Sequence, residues 1–408
     1  MASWFPIPKN SPFSLANIPF GIISSQSASR VPAIAIGDHA LNLSLFASSG
    51  GFSQLSAIQK HLNVFNEPTL NAFAALGRPV HRQVREYLQN VFRVETQYPQ
   101  VLKDNAELQK SALVPLSQVT NHLPMQIGDY TDFYAGLNHA YNVGVLFRGP
   151  DNALQPNYKH LPWLTMVVLP LWFPLELICT VPTRLDIELE LACFISKPND
   201  LGKPVSVEEA EDHIFGLVLM NDWSARDIQA WEYVPLGPFN AKNFGTSITP
   251  WVVMLDALEP FRTQGLEPEN RESLLPYLRE KRAENVYDIP LEVEITNKGG
   301  QPSIISNTSS RNLLYSFPQM VAHHTITGCN LRTGDLLGSG TISGKEPHTQ
   351  GSLLEQTNGK KPLKLADGTE RMFLEDGDTV VLRGMAGTEG NFVGFGDCVG
   401  TILPALSL

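Results

Sequence analysis

The chain has 408 residues, of which 43% are hydrophobic and 17% are charged. This composition is typical of globular proteins, so it excludes a disordered or collagen-like chain, and the length predicts two or three domains. The formal net charge of −11 argues against a nucleic-acid backbone as the main partner, because phosphates attract basic proteins.

The cysteines and the start of the chain indicate a reducing compartment. Cys179, Cys193, Cys329 and Cys398 are widely scattered, and without a C-x-x-C pair they predict neither a disulfide framework nor a zinc site. The opening sequence MASWFPIPKNSPF lacks the basic and apolar regions of a secretory signal. We therefore expect a cytoplasmic location.

Residues 1–118 are predicted to form a first, small domain. Residues 20–24 and 31–36 are rich in β-branched side chains and predict short strands, whereas residues 53–65 and 80–92 have helical spacing of their apolar side chains. These elements predict a small barrel or sheet decorated with helices.

Residues 119–408 are predicted to form a larger, mainly β domain. Residues 185–194 alternate strictly between apolar and other side chains, residues 215–220 form an apolar strand, and residues 371–382 resemble a hairpin with an Asp-Gly turn. Ser206 and Glu209 have the spacing of a capping box and predict a helix start.

An apolar segment at residues 163–181 is long enough to span a bilayer. Pro170, Pro174 and Glu176 interrupt it, and no basic flank orients it. We therefore predict that the protein does not span a membrane.

The chemistry that the sequence favours is that of carboxylates. The sequence contains no G-x-S-x-G or H-E-x-x-H motif, and the glycine-rich stretch at residues 338–344 has the wrong spacing for a phosphate loop. Glu188 and Glu190 are two apart on one predicted strand, which is also the pattern of a solvated strand face. Asp132 and Asp222 add two more acids, and Asp222 ends an apolar strand where an unpaired charge is costly. Four converging carboxylates would require a hard cation such as Ca²⁺ or Mg²⁺.

Other polar residues near these acids have two interpretations. His139 is either a general base or an ordinary core or surface histidine. Asp222, Arg226 and Gln229 lie together in one short stretch, which is either part of a site or a helix start with an exposed ion pair.

Several long motifs resemble the fumarylacetoacetase family. They are GDYTDFY with the downstream histidine, D-I-E-L-E, MNDWSARDIQ-x-WEYVPLGPF, K-N-F-G-T and CNLRTGDLLGSGTISG. The resemblance extends over nearly the whole chain. It implies a mainly β (α+β) protein with a small SH3-like barrel over residues 1–118 and a large catalytic mixed β-sandwich roll over residues 119–408. It also implies a cytoplasmic homodimer that hydrolyses the carbon–carbon bond of a small β-diketo acid, 4-fumarylacetoacetate, in the last step of tyrosine and phenylalanine catabolism.

The resemblance further implies roles for individual residues, by their position in the matched motifs. The implied calcium ligands are Asp132, Glu188, Glu190 and Asp222. The implied general base is His139, which Glu355 orients. The groups implied around the developing oxyanion are Arg226, Gln229 and Lys242. The implied substrate contacts are Tyr134, Arg148, Gln229, Tyr233 and Thr341. A second, magnesium-associated site is implied at Asp222, Lys242 and Thr246.

Residues 163–182 depart from the family pattern. Family members have a G-Y-x-G-R-A-S-S stretch and a long polar loop there, whereas this chain has a shorter, apolar, proline-bearing segment, with Thr165 near the position of a substrate-contacting tyrosine. We predict that the segment is the translation of an intron or of a shifted reading frame. Sequencing the transcript across codons 160–185 tests this prediction. We expect it to weaken folding and activity.

Three alternatives stay open at this point. The first is a hydrolase of another acylpyruvate or β-diketo acid in the same superfamily. The second is a weakly active or non-catalytic dimeric protein, because of the altered segment. The third is a membrane anchor at residues 163–181.

Overall fold

The computed structural model describes residues 2–26, 28–167, 176–178, 183–243, 245–266 and 271–405, and within them the fold is a mixed α/β structure. The strands of the first 122 residues are β1 (Phe20–Ser25), β2 (Ala28–Ile36), β3 (His39–Asn42), β4 (Leu113–Pro115) and β5 (Thr120–His122). The helices of the same part are α1 (Leu43–Ser48), α2 (Asn71–Ala74), α3 (Arg78–Phe92) and α4 (Ala106–Ala112), with 3₁₀ segments at Ser56–Asn66 and Leu116–Gln118.

The rest of the chain contributes most of the strands. They are β6 (Tyr130–Phe133), β7 (Leu164–Val167), β8 (Glu176–Ile178), β9 (Leu185–Asp186), β10 (Leu189–Ile195), β11 (Ile214–Asp222), β12 (Ser224–Ala225), β13 (Thr246–Ile248), β14 (Trp251–Val252), β15 (Arg262–Thr263), β16 (Val286–Tyr287), β17 (Pro290–Thr296), β18 (Ser303–Ser309), β19 (Leu336–Gly338), β20 (Leu363–Lys364), β21 (Glu370–Arg371), β22 (Thr379–Ala386), β23 (Val393–Gly394) and β24 (Cys398–Leu403). The helices are α5 (Leu137–Arg148), α6 (Arg226–Glu232), α7 (Asn240–Asn243), α8 (Leu255–Leu258), α9 (Phe317–Thr325) and α10 (Leu353–Thr357), with 3₁₀ segments that include Ala210–His213.

The N-terminal sheet has the order β14-β1-β2-β3-β4, with β5 also paired to β1. Strands at residues 20–24 and 31–36 and a helix at residues 80–92 are confirmed by β1, β2 and α3. The predicted helix at residues 53–65 is a 3₁₀ segment interrupted at His61, whose φ of −130° is not helical. Because β14 comes from residues beyond 250, the two parts of the chain share this sheet.

The central sheet has the order β13-β11-β10-β19-β6-β7 and is buried on both faces. Leu191 and Leu217 belong to the core shared with the C-terminal sheet, whereas Ala192 and Val218 belong to the N-terminal core. Successive side chains of a strand point to opposite faces, so β10 and β11 are covered on both sides. The C-terminal sheet has the order β18-β17-β22-β24-β8.

Three predictions about local structure need correction. The predicted strand at residues 185–194 is two strands, because β9 pairs with β12 and β10 pairs with β11 and β19. Residues 371–382 do not form one hairpin, since β21 pairs with β20 while β22 pairs with β17 and β24, although Gly377 has the expected positive φ of 91°. The Ser206 hydroxyl does donate to Glu209, at 2.6 Å, but a 3₁₀ turn follows instead of an α-helix.

Most of the apolar segment at residues 163–181 lies outside the described residues. Its described parts include β7, which pairs with β6 at the edge of the central sheet, and β8, which pairs with β24. None of the helices in the described ranges has the length and apolar character of a bilayer span.

Candidate active site

A cavity of about 460 Å³ opens between α5, α6 and the edge of the central sheet. Most of the residues predicted to form a site line it, namely Asp132, Tyr134, His139, Arg148, Glu188, Arg226, Gln229, Tyr233, Lys242 and Thr341. The other predicted site residues do not line the cavity. They contact a lining residue or pair with one another behind the wall, and they are Glu190, Asp222, Thr246 and Glu355. The structure thus brings together residues from widely separated parts of the sequence.

The His139 imidazole lies in the first turn of α5 and is 2% exposed. Its Nδ1 is 2.6 Å from Glu355 Oε2, and its Nε2 is 3.7 Å from Glu188 Oε1. The Tyr134 ring packs edge-on against the imidazole, with 5.4 Å between the ring centroids. A carboxylate can only accept hydrogen bonds, so the proton on Nδ1 faces Glu355 and Nε2 is the nitrogen that faces Glu188 at the cavity wall.

Glu355 is held by a dense set of hydrogen-bond donors. Its Oε2 accepts from Ser343 and Ser352, both at 2.8 Å, in addition to His139, and its Oε1 accepts from Asn142 at 2.9 Å. Burial acts to raise the pKa of Glu355, but the neighbouring His139 and these hydrogen bonds lower that pKa below its ordinary value. Glu355 is therefore an ionised acceptor behind the imidazole.

Three carboxylates converge at the inner end of the cavity, where Asp132 lines the wall and the other two lie behind it. Asp132 on β6, Glu190 on β10 and Asp222 at the end of β11 each offer an oxygen, and these oxygens lie within 4.8 Å of one another. One oxygen of each (Asp132 Oδ1, Glu190 Oε1 and Asp222 Oδ1) is buried without a hydrogen-bond partner among the described residues. Strand pairing explains the convergence, because Gly338 of β19 pairs with Asp132 and β19 also pairs with β10.

The electrostatics of this cluster are those of crowded, buried acids, of which only Asp222 has a cationic partner, Lys242, in the part of the chain that the structure describes. Burial, followed by repulsion from neighbouring carboxylates, raises the pKa of Asp132 and of Glu190 well above the ordinary value. Burial also raises the pKa of Asp222 to about 6, although Lys242 opposes that shift. A hard divalent cation relieves such repulsion and takes oxygen ligands, so the three carboxylates fit Ca²⁺ or Mg²⁺.

Glu188 is in a different electrostatic position from the three clustered carboxylates. Its Oε1 accepts from Arg226 Nη1 at 2.8 Å, and its Oε2 accepts from Lys242 Nζ. Burial acts to raise the pKa of Glu188, but Lys242 and Arg226 lower it strongly. The Lys242 ammonium also donates to Asp222 at 2.7 Å, so it links Glu188 to the cluster of three carboxylates.

The alternative of a solvated strand face is wrong for the E-x-E pair. Glu188 is 4% exposed and Glu190 is 0% exposed. Glu190 Oε2 accepts the Gly340 amide at 2.9 Å. The alternative of an exposed ion pair for Arg226 is also wrong, because the Arg226 side chain is buried and contacts Glu188.

The remaining cavity residues present polar groups toward a ligand-sized space. Arg226 Nη2 and Thr341 Oγ1 are buried and have no hydrogen-bond partner within the described parts of the chain. Arg148 is fixed by hydrogen bonds to the carbonyls of Asn152 and Ala153, and the Tyr233 ring packs on Phe147 with 5.7 Å between centroids. These groups are suited to binding an anionic, oxygen-rich molecule.

Sequence reasoning missed four residues that hold this arrangement together, namely Asp186, Asn142, Ser343 and Ser352. Asn142 is three residues after His139 on one helix, and this spacing puts two side chains on the same face. Asp186 stands in the same D-I-E-L-E motif as the two glutamates. The two serines gave no signal in the sequence.

Comparison with known families shows which family this chain belongs to. Residues 16–124 match the model described as Fumarylacetoacetase N-terminal, and residues 138–403 match the one described as Fumarylacetoacetate (FAA) hydrolase C-terminal. The chain belongs to the fumarylacetoacetase family. The family-like motifs of the sequence are thereby confirmed.

Curated relatives extend the family match over the full chain. Fumarylacetoacetase fahA of Aspergillus fumigatus is 77% identical over 429 aligned positions, covering 100% of both chains. Fumarylacetoacetase of Homo sapiens is 43% identical over 424 positions, covering 99% of each. Because 429 aligned positions exceed the 408 residues of this chain, the Aspergillus protein contains residues with no counterpart here.

Solved structures share the fold at low sequence identity. One is described as Cg1458 with inhibitor and matches with a TM-score of 0.53 at 15% identity, covering 95% of this chain and 100% of that one. Another is a fumarylacetoacetate hydrolase from Exiguobacterium antarcticum, with a TM-score of 0.52 at 14% identity and the same coverage.

Proposed function

We propose that this protein hydrolyses a carbon–carbon bond of 4-fumarylacetoacetate to give fumarate and acetoacetate, the last step of tyrosine and phenylalanine catabolism. Membership of the family supports a carbon–carbon bond hydrolase. The observation that carries the proposal is the placement of the buried His139–Glu355 pair and of three crowded, buried carboxylates at one cavity.

We propose that Asp132, Glu190 and Asp222 hold a divalent cation, Ca²⁺ in the first place, with Glu188 as a fourth ligand. Each carboxylate has about four acceptor positions, so the hydrogen bonds of Glu188 to Arg226 and Lys242 leave room for an ion. When bound, the ion supplies Lewis-acid stabilisation of the enolate that leaves when a β-diketone is cleaved.

His139 is proposed to activate the attacking water. Its Nδ1 proton is held by Glu355, so Nε2 accepts the proton of the water, and the ionised carboxylate behind the ring stabilises the imidazolium that forms. Such base catalysis contributes about 10²–10⁴-fold in rate.

Arg226, Gln229 and Lys242 are proposed to stabilise the oxyanion of the tetrahedral intermediate. Arg226 Nη2 supports this role because it is a buried donor that no described residue accepts. Gln229 is held against Arg226 by a hydrogen bond of 2.9 Å. Tyr134, Arg148, Gln229, Tyr233 and Thr341 are proposed to bind the substrate, since all of them line the cavity.

Four further properties are proposed from family resemblance. They are a magnesium-associated site at Asp222, Lys242 and Thr246, a division into an SH3-like barrel over residues 1–118 and a sandwich roll over residues 119–408, a homodimer, and a cytoplasmic location. The magnesium site is supported by Thr246, which pairs with Asp222 and has a buried hydroxyl without a partner in the described chain. Lys242 would act there as a cation rather than a ligand, because a protonated amine has no lone pair.

The altered segment supports a second proposal, that turnover is low. Trp163, Leu164 and Thr165 line the cavity, so the departure from the family pattern begins inside the site.

The test follows the loss of the diketo ultraviolet absorbance with purified protein, on fumarylacetoacetate and on simpler acylpyruvates. We expect fumarylacetoacetate to be cleaved with the higher kcat/KM, activity to be lost in EDTA, and Ca²⁺ or Mg²⁺ to restore it. Equal turnover in EDTA and in calcium would overturn the proposed chemistry. A preference for acylpyruvates would instead assign the broader superfamily activity.

A further inference from the structure

We propose that Asp186 is a positioning residue that fixes the two halves of the active site relative to each other. One half is the proposed general base His139 together with Glu355 of α10, which orients it. The other half is Arg226 at the start of α6. The role of Asp186 in turnover rests on the proposed function, whereas its role in holding α10 and α6 does not.

The Asp186 carboxylate is 0% exposed and accepts from four donors. Its Oδ1 accepts the Leu353 amide at 2.7 Å and the adjacent Ile187 amide at 2.8 Å. Its Oδ2 accepts the Leu354 amide at 3.0 Å and Arg226 Nε at 2.8 Å. One side chain therefore holds both the first turn of α10 and the guanidinium of Arg226.

Both held elements act directly on the site. The residue after Leu354 is Glu355, which contacts His139 at 2.6 Å. Arg226 uses Nη1 to contact Glu188 and Gln229 at 2.8 and 2.9 Å, which leaves Nη2 for the oxyanion. A shift of Asp186 would move Glu355, which orients the base, and the oxyanion donor Arg226 together.

Asparagine cannot reproduce this arrangement, although it has nearly the same shape. All four partners of Asp186 are N–H donors, and the amide group of asparagine is itself a donor. If the asparagine oxygen faces Leu353, its NH₂ group faces Leu354 and Arg226. If the side chain is flipped, the NH₂ group faces Leu353 and Ile187. Either orientation loses two of the four hydrogen bonds.

Asp378 provides a matched control that does not line the cavity. It is also 0% exposed, and it holds Arg371 through two hydrogen bonds of 2.9 and 3.0 Å while accepting the Glu375 amide. Asp378→Asn therefore removes a buried aspartate–arginine pair of the same kind outside the cavity.

The experiment compares the full-length Asp186→Asn and Asp378→Asn proteins in calcium, with fumarylacetoacetate as substrate. Loss of a supporting hydrogen bond behind a site typically costs about 10–100-fold in activity, so we expect Asp186→Asn to lower kcat by that factor. KM should change little, because both held groups act in the transition state. Asp378→Asn should lower the melting temperature but keep kcat per folded molecule.

A double-mutant cycle separates positioning from general weakening. If Asp186 acts through Glu355, adding Asp186→Asn to a Glu355→Gln protein should cost less than it costs in the unmodified protein. Full multiplication of the two losses, or an equal kcat loss in Asp378→Asn, would overturn the proposal.

Hydrogen exchange provides a readout that needs no turnover. The peptide that contains the Leu353 and Leu354 amides should exchange faster in Asp186→Asn than in Asp378→Asn. If the unmodified protein cleaves no fumarylacetoacetate, the proposed function fails, while this difference in exchange still supports the linkage. Equal exchange in the two variants would overturn it.

Discussion

Replacing Asp222 by asparagine is expected to stabilise the metal-free protein at neutral pH and to destabilise the calcium-bound protein. The reason is the raised pKa of Asp222, about 6, which burial causes against the opposing effect of Lys242. An aspartate in the unfolded chain has a pKa of about 3.9. The folded, metal-free site therefore disfavours the ionised form of Asp222.

The sign and size of the effect follow from linkage. With the folded pKa above the unfolded one, the stability that this group contributes is fully present below about pH 4 and is lost as pH rises through about 6. A difference of about two pKa units corresponds to about 3 kcal/mol, at about 1.36 kcal/mol per unit. Asparagine stays neutral, so Asp222→Asn avoids that loss.

In calcium we expect the unmodified protein to be the more stable of the two. An ion that binds only the folded state stabilises it by about 4.1 kcal/mol at about 1,000 times its Kd, which exceeds the loss of about 3 kcal/mol in the metal-free protein. The unmodified protein gains this stability with three clustered carboxylates, whereas the variant has only two of them and binds the ion more weakly.

The assay is thermal melting of both proteins at pH 4.5 and pH 7.5, in EDTA and in calcium. The quantity to compare is the difference in melting temperature between the two proteins at each pH. This difference cancels the contribution of groups that both proteins share and that titrate in the opposite direction. His81 is such a group, because burial lowers its pKa to about 4. Asp335→Asn is the control, since burial also raises the pKa of Asp335 while its carboxylate holds the Asp129 and Arg332 amides. A less stable Asp222→Asn protein in EDTA at pH 7.5, or an equal calcium effect on both proteins, would refute the reasoning.

Three further outcomes are expected. His139→Ala should lower kcat by about 10²–10⁴-fold. Its calcium affinity, measured by calorimetry, should stay close to that of the unmodified protein. Substantial residual turnover would show that His139 is not the general base. Thr341→Val should raise KM by about 3–10-fold, the value of one hydrogen bond, with kcat retained, and an unchanged KM would show that the hydroxyl does not contact substrate. Replacing residues 163–182 by the corresponding stretch of the Aspergillus fumigatus relative should raise kcat/KM and the melting temperature; no gain in either would mean that the segment does not limit the enzyme.

The parts of the fold that the sequence predicted correctly are those with a strong local pattern. The spacing of Val80, Val84 and Leu88 marks the buried face of α3, and the apolar run before Asp222 is β11. The hairpin at residues 371–382 was wrong because its partners are distant in sequence, and pairing with β17 and β24 overrides the local turn pattern. Local periodicity carries no information about which strand lies next to which.

The convergence of the carboxylates could not be predicted from the sequence either, because it also depends on strands that are distant along the chain. Asp132 and Glu190 come together because β19, more than 140 residues further on, pairs with both β6 and β10. The residue types were recognisable, since acids are costly in apolar strands. Their mutual distance depends on sheet order, which the motifs do not encode.

The D-I-E-L-E motif shows how one short stretch supplies three different electrostatic functions. Asp186 ends β9 and holds α10 and Arg226, Glu188 lies between the two strands and pairs with Arg226 and Lys242, and Glu190 on β10 joins the carboxylate cluster. An unbroken strand would place all three side chains on one face in the same surroundings. The break between β9 and β10 prevents this. Two of the acids are thus matched to two buried cations of the site, Arg226 and Lys242. The third lies beside Asp132 and Asp222, where the proposed metal ion would supply the missing positive charge.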